Sequence, residues 1–123
     1  MKKDSFNKII LDILGERPIA FNPLLAKMIG SSTAGLFMSQ LLYWWGKGHK
    51  ENWIWKTIKE VERETVLSRS EQDSAIRKWK VIGILETKVE GIPPKRHFKI
   101  DIDKLVNMLK NYKNDSSNLS NIT

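Results

Sequence analysis

Residues 53–100 read WIWKTIKEVERETVLSRSEQDSAIRKWKVIGILETKVEGIPPKRHFKI. Trp53-Ile54-Trp55 is an aromatic and β-branched run that suits a short strand anchored by its tryptophans. In Thr57-Ile58-Lys59-Glu60 a hydroxyl and a carboxylate stand three residues apart, the spacing at which each satisfies the other's backbone N–H at a helix start. Ser68-Arg69-Ser70-Glu71 repeats that pattern directly after Val66-Leu67, which predicts a second helix one tight turn beyond the first. This second helix carries Arg77, Lys78 and Lys80 and stops at Gly83. Ile84 to Val89 and Arg96 to Ile100 then read as strands on either side of Glu90-Gly91-Ile92-Pro93-Pro94. Gly91 permits a positive φ there, and the two prolines stiffen the tip and remove amide donors that would invite edge pairing.

Two short helices with a tight turn, then a hairpin tipped by Lys95 and Arg96, is the layout that places a helix in a DNA major groove. The expected fold is mainly α with a small antiparallel sheet: a winged helix-turn-helix with extra N- and C-terminal helices. Charge agrees with an anionic partner. The formal net charge is +7, and Val66 to Ile100 holds eight Lys and Arg against Glu71, Asp73, Glu86 and Glu90. Charge alone is weak evidence, but its position on the proposed reading elements sharpens it.

Helical periodicity assigns faces to the second helix. Gln72, Ala75, Ile76 and Trp79 fall on one side and are expected inward. Ser70, Ser74, Arg77 and Lys78 fall on the other, where small hydroxyl side chains allow close approach and the cations reach bases or phosphates. Arg69 stands at the start of the same helix. Glu71 could accept a hydrogen bond from cytosine, but completing the Ser68 cap is the preferred reading. In the hairpin, Phe98 and Ile100 share one face while His97 and Lys99 take the other. Lys88, Lys95, Arg96 and Lys99 are expected to track a phosphate backbone or minor groove. The site expectation for double-stranded DNA is therefore Arg69, Ser70, Ser74, Arg77, Lys78, Lys88, Lys95, Arg96 and Lys99.

Elsewhere, Phe6, Ile9, Ile10, Ile13 and Leu14 form one apolar stripe on a helix closed by Gly15. Asn22-Pro23 caps a short helix that ends at Gly30. Ser31-Ser32-Thr33 caps the next, with Ala34, Phe37, Met38, Leu41, Leu42 and Trp45 as core stripe and Leu36, Tyr43 and Trp44 as further apolar surface. The Phe6 stripe and the Ala34–Trp45 helix can bury each other or meet a second copy, and a homodimer is the expectation. Residues 46–52 read as a polar loop. Ile102, Leu105, Val106 and Leu109 mark a last helix capped by Asp101 or Asp103. One domain is expected over residues 1–111, with 112–123 as a disordered polar tail or linker to a further domain.

Several chemistries drop out. The chain has no cysteine, and its two histidines, His49 and His97, lie far apart in sequence, so no metal site and no cofactor are expected. Gly30-Ser31-Ser32-Thr33-Ala34-Gly35 has leucine where a phosphate loop needs lysine. Ser5-Phe6-Asn7-Lys8 matches a Ser-x-x-Lys pattern by chance. The Asn-x-Ser/Thr triplets near the end mark only a polar segment. No catalytic constellation is found, and the chain is read as a binding protein, not an enzyme. No run approaches the ~20 apolar residues of a membrane span, and no export signal is recognised, so a cytoplasmic location is expected.

Gly35-Leu36-Phe37-Met38-Ser39-Gln40-Leu41-Leu42-Tyr43-Trp44-Trp45 resembles the Leu-x-Gln-Leu-x-Tyr-Trp helix of phage and plasmid replication proteins. The Trp53 strand, the Thr57-x-x-Glu60 helix, Ser68 to Gln72, Lys78 to Glu86 and Ile92 to Ile100 resemble the elements that follow in those proteins. The resemblance spans Phe21 to Ile100, with Trp79 where a leucine is common. It implies the DNA-binding winged helix of a replication initiator or replisome organiser of a phage, plasmid or other mobile element. A transcriptional regulator with the same fold, or a protein-interaction module of a replisome, is the alternative.

Overall fold

The computed structural model describes residues 3–15, 19–47 and 53–122, with side chains described from Asn7 to Ser116. The Arg17-Pro18 connector, most of the 46–52 loop including His49, and the Phe6 side chain lie outside the described residues. The elements run α1 (Lys3–Leu14), α2 (Pro23–Ile29), α3 (Ser32–Gly46), β1 (Ile54–Lys56), α4 (Ile58–Thr65), α5 (Arg69–Val81), β2 (Leu85–Glu90), β3 (Lys95–Ile100) and α6 (Ile102–Ile122). Mainly helical, with one three-stranded antiparallel sheet ordered β1-β3-β2, this is a winged helix-turn-helix arrangement. Among the described residues no helix is long and apolar enough to cross a membrane.

Local chemistry accounts for most helix boundaries. Asn22, Ser31, Thr57 and Ser68 each cap a helix through a side-chain oxygen, and Thr57 and Ser68 do so in full capping boxes with Glu60 and Glu71. The Glu60 carboxyl lies below its ordinary value: burial pushes it up, but hydrogen bonds from Thr57 and the Lys56 ammonium outweigh that. The turn between α4 and α5 passes through Val66, held at φ 65° in the left-handed region, an uncommon conformation for a β-branched residue. Burial of Leu67 immediately after it, and a 2.7 Å bond from Val66 N–H to the Glu62 carbonyl, hold the turn in place.

The central helix is α3. Ala34, Phe37, Met38 and Leu41 are buried among α2, α5 and the sheet, and Phe37 meets Phe98 of β3 edge to face with ring centres 5.6 Å apart. Contact with α2 is backbone-close: a Cβ on Gly35 would stand 2.6 Å from Ala26 Cα. Trp79 of α5 is fully buried, and its indole N–H donates to the Ala34 carbonyl at 2.9 Å.

Three expectations change. The apolar surface of α3 is largely consumed inside the domain, so this helix is core rather than a free dimerisation face. The α1 stripe, in contrast, remains out: Ile9, Ile10, Ile13 and Leu14 are 43% to 78% exposed. In β1 the inward side chains are Ile54 and Lys56, and strand alternation turns Trp55 outward, so the tryptophans do not anchor the strand in the core. Finally, the segment expected as a disordered tail from residue 112 is helical, because α6 continues to Ile122. No glycine or proline follows Pro94, so nothing local stops this helix once it starts.

Candidate nucleic-acid interface

The inward face of α5 is built as its periodicity predicts. Gln72, Ala75, Ile76 and Trp79 are buried. Gln72 is a bracket as well as a core residue: its amide donates to the Ile58 carbonyl at 3.1 Å and the Leu67 carbonyl at 3.0 Å. The start of α4, the turn and α5 are thereby tied at one point. Glu71 serves the cap, accepting from Ser68 N–H at 3.0 Å.

The outward side of α5 carries Arg69, Ser70, Arg77 and Lys78, all exposed, with Ser74 half-buried among them. Ser70, Ser74, Arg77 and Lys78 make no hydrogen bond or ion pair with other described residues, which leaves their polar atoms to solvent or a ligand. Arg69 lies 4.0 Å from Asp73 in an exposed i, i+4 pair worth little.

Arg96 has a different place from the one expected. Alternation along β3 puts it on the side of Phe98 and Ile100, facing α5, and not on the outer side with His97. Its guanidinium donates to Asp73 at 2.6 Å and to the Gln72 side-chain carbonyl at 3.2 Å, and only 20% of the side chain is exposed. Arg96 therefore locks the wing to α5 instead of reaching for a phosphate. Lys80, bonded to Thr87 at 3.1 Å, makes a second link between α5 and β2.

The other three wing residues do not join the α5 group. Register pairs Lys88 with His97 and Glu86 with Lys99, so Lys88, Lys95 and Lys99 occupy the outer face of the sheet, away from the helices. The nine expected residues thus separate into an α5 surface, an outer-sheet surface and Arg96 between them. Trp53 and Trp55, expected as strand anchors, stand on that outer face as well. Period-two alternation from buried Ile54 carries the signal. No group of three His, Asp or Glu side chains that could hold a metal occurs among the described residues.

Compared with protein-family models, curated proteins and solved structures, the chain finds no significant match in any of the three.

Proposed function

We propose that the chain binds double-stranded DNA by inserting the Ser70-Ser74-Arg77-Lys78 face of α5 into the major groove. One observation carries this reading: a helix held rigidly from behind by Gln72 and Trp79 presents unpartnered hydroxyl and cationic groups outward. The +7 net charge supports it. From the resemblance of the Gly35–Trp45 helix and the following elements, the role is replication initiation on a phage, plasmid or other mobile element in the cytoplasm.

Arg77→Ala is expected to weaken duplex binding by about 1–3 kcal/mol and to relax discrimination at one base position, with the melting temperature unchanged. Selection of bound duplexes from a random pool, repeated with the variant, reads both effects. Equal affinity and equal selected sequences for the two proteins would remove α5 from the groove.

The same reading includes a dimer, now resting on α1 alone, whose exposed Ile9, Ile10, Ile13 and Leu14 have no partner surface large enough to bury them among the described residues. Two copies joined there place two α5 helices about 34 Å apart on a palindromic site. Ile9→Asp with Ile13→Asp is expected to convert a dimer to a monomer in light scattering at micromolar concentration. A monomer in the unaltered protein sinks this part of the proposal.

A further inference from the structure

The outer face of the sheet is an aromatic and basic surface that the α5 reading leaves unused. Trp55 pairs in register with His97, which pairs with Lys88, so these side chains stand together with Lys95 and Lys99 on one side. Trp53, two residues before Trp55, shares that side. Trp55 is 43% exposed, an unusual position for the largest apolar ring in a domain that has a well-formed core.

Trp55 has one cation over its ring and Trp53 has two. The Lys95 ammonium lies 3.9 Å from the Trp55 ring centre, and those of Lys88 and Lys99 lie 4.3 Å and 5.9 Å from the Trp53 ring centre. Beside Trp55 opens a hollow of about 320 Å³ bounded by His97, Lys95 and the turn at 90–93. That size lies at the lower end of the roughly 300–1,000 Å³ of small-ligand clefts. The face also carries Glu86 and Glu90. Glu90 is held by Lys88 at 3.2 Å, and three lysines against two carboxylates leave the surface net positive.

We propose that this face binds single-stranded DNA, stacking unpaired bases on Trp53 and Trp55 while Lys88, Lys95 and Lys99 take the phosphates. Trp53 directly precedes β1, and Cα atoms two residues apart in extended chain stand about 6.6 Å apart, roughly twice the ~3.4 Å separation of stacked bases. The two rings therefore match bases of an extended strand and not those of an intact duplex. A base sliding over a ring displaces an ammonium that is already within reach of the adjoining phosphate. Aromatic platforms flanked by cations hold single strands with little sequence preference for this reason. The choice of DNA rests on the duplex reading of α5: a domain holding a duplex on one surface has a single strand within reach of the other when that duplex opens.

Anisotropy of a labelled short oligodeoxythymidine, measured with the full chain and its variants, tests the proposal. Trp55→Ala is expected to weaken oligonucleotide binding by about 5- to 100-fold, with duplex affinity and melting temperature retained, while Trp55→Phe keeps most of the affinity. Lys95→Ala with Lys99→Ala should flatten the log-affinity against log-salt slope by about 1.4 on the single strand, at ~0.7 per phosphate. Arg77→Ala should weaken the duplex and leave the oligonucleotide unaffected, so failure of the α5 reading and of this one are separable. Equal oligonucleotide affinity in Trp55→Ala and the unaltered chain overturns the proposal. So does loss of oligonucleotide binding in Arg77→Ala alone, or a change in oligomeric mass in Trp55→Ala without a change in oligonucleotide binding.

Discussion

Trp79→Ala is expected to destabilise the domain by about 3–5 kcal/mol, the range for removing a fully buried large aromatic side chain. At this chain length that corresponds to a fall in melting temperature of about 10–25 °C. The indole has no exposed surface, and it spans the gap from α5 to the first turn of α3, where its N–H meets the Ala34 carbonyl at 2.9 Å. Two costs combine: a cavity at the centre of the layer that packs α5 on α3, and a lost hydrogen bond across it. Trp79→Phe separates them, keeping most of the ring volume while deleting the donor, and should cost about 1–2 kcal/mol. Duplex affinity below the new transition should fall as well, because α5 loses the contact that sets its angle. Thermal unfolding followed by circular dichroism checks the series. A shift of only ~3 °C or less in Trp79→Ala would show that α5 is held by other contacts.

Trp79 was legible as an inward residue because helical periodicity is local and α5 carries Gln72, Ala75 and Ile76 beside it. The capping boxes at Thr57 and Ser68 were legible for the same reason, since each closes within four residues. Other features were not local. Nothing in Val66-Leu67 marks a left-handed turn without glycine; burial of Leu67 imposes it. Arg96 was assigned to the phosphate backbone by its charge. Its inward direction follows from alternation with Phe98, and its partner Asp73 lies 23 residues away. The polar run after Asn111 has the composition of a disordered segment, yet α6 continues through it to Ile122. Composition reports what a segment can bury, and a helix exposed on most sides needs little burial once nucleated. The outward face of α5 was therefore legible, whereas the direction of Arg96 was not, because one step of register decides which way a wing cation points.

Lys56 illustrates the same limit and yields the second large effect. It reads as a surface lysine between a strand and a helix cap, but its side chain is only 8% exposed. Its ammonium lies 3.0 Å from Glu64, 3.7 Å from Glu60 and 3.2 Å from the Trp44 ring centre. The other Glu64 oxygen accepts from Gln40 at 2.9 Å and from the Trp44 indole at 3.2 Å, so one carboxylate joins α3, β1 and α4. Glu64→Ala takes the acceptor from three donors at once, leaving the Lys56 ammonium only Glu60 at 3.7 Å and the Trp44 ring among the described residues, and is expected to cost about 3 kcal/mol, near the low end for a broken buried pair. Lys56→Met with Glu64→Gln should recover most of that stability: methionine packs against the Trp44 ring, and the glutamine carbonyl still accepts from Gln40 and Trp44. Urea unfolding of the single and double variants measures the coupling, and 0.5 M salt should change it little because the pair is shielded. If Glu64→Ala loses less than ~1 kcal/mol, or if salt alone removes the difference, the network is an ordinary surface ion pair. If the cost is as expected, β1 is pinned to the helices by this carboxylate. The outward placement of Trp53 and Trp55 then depends on Glu64, a residue on the opposite side of the sheet from the face they form.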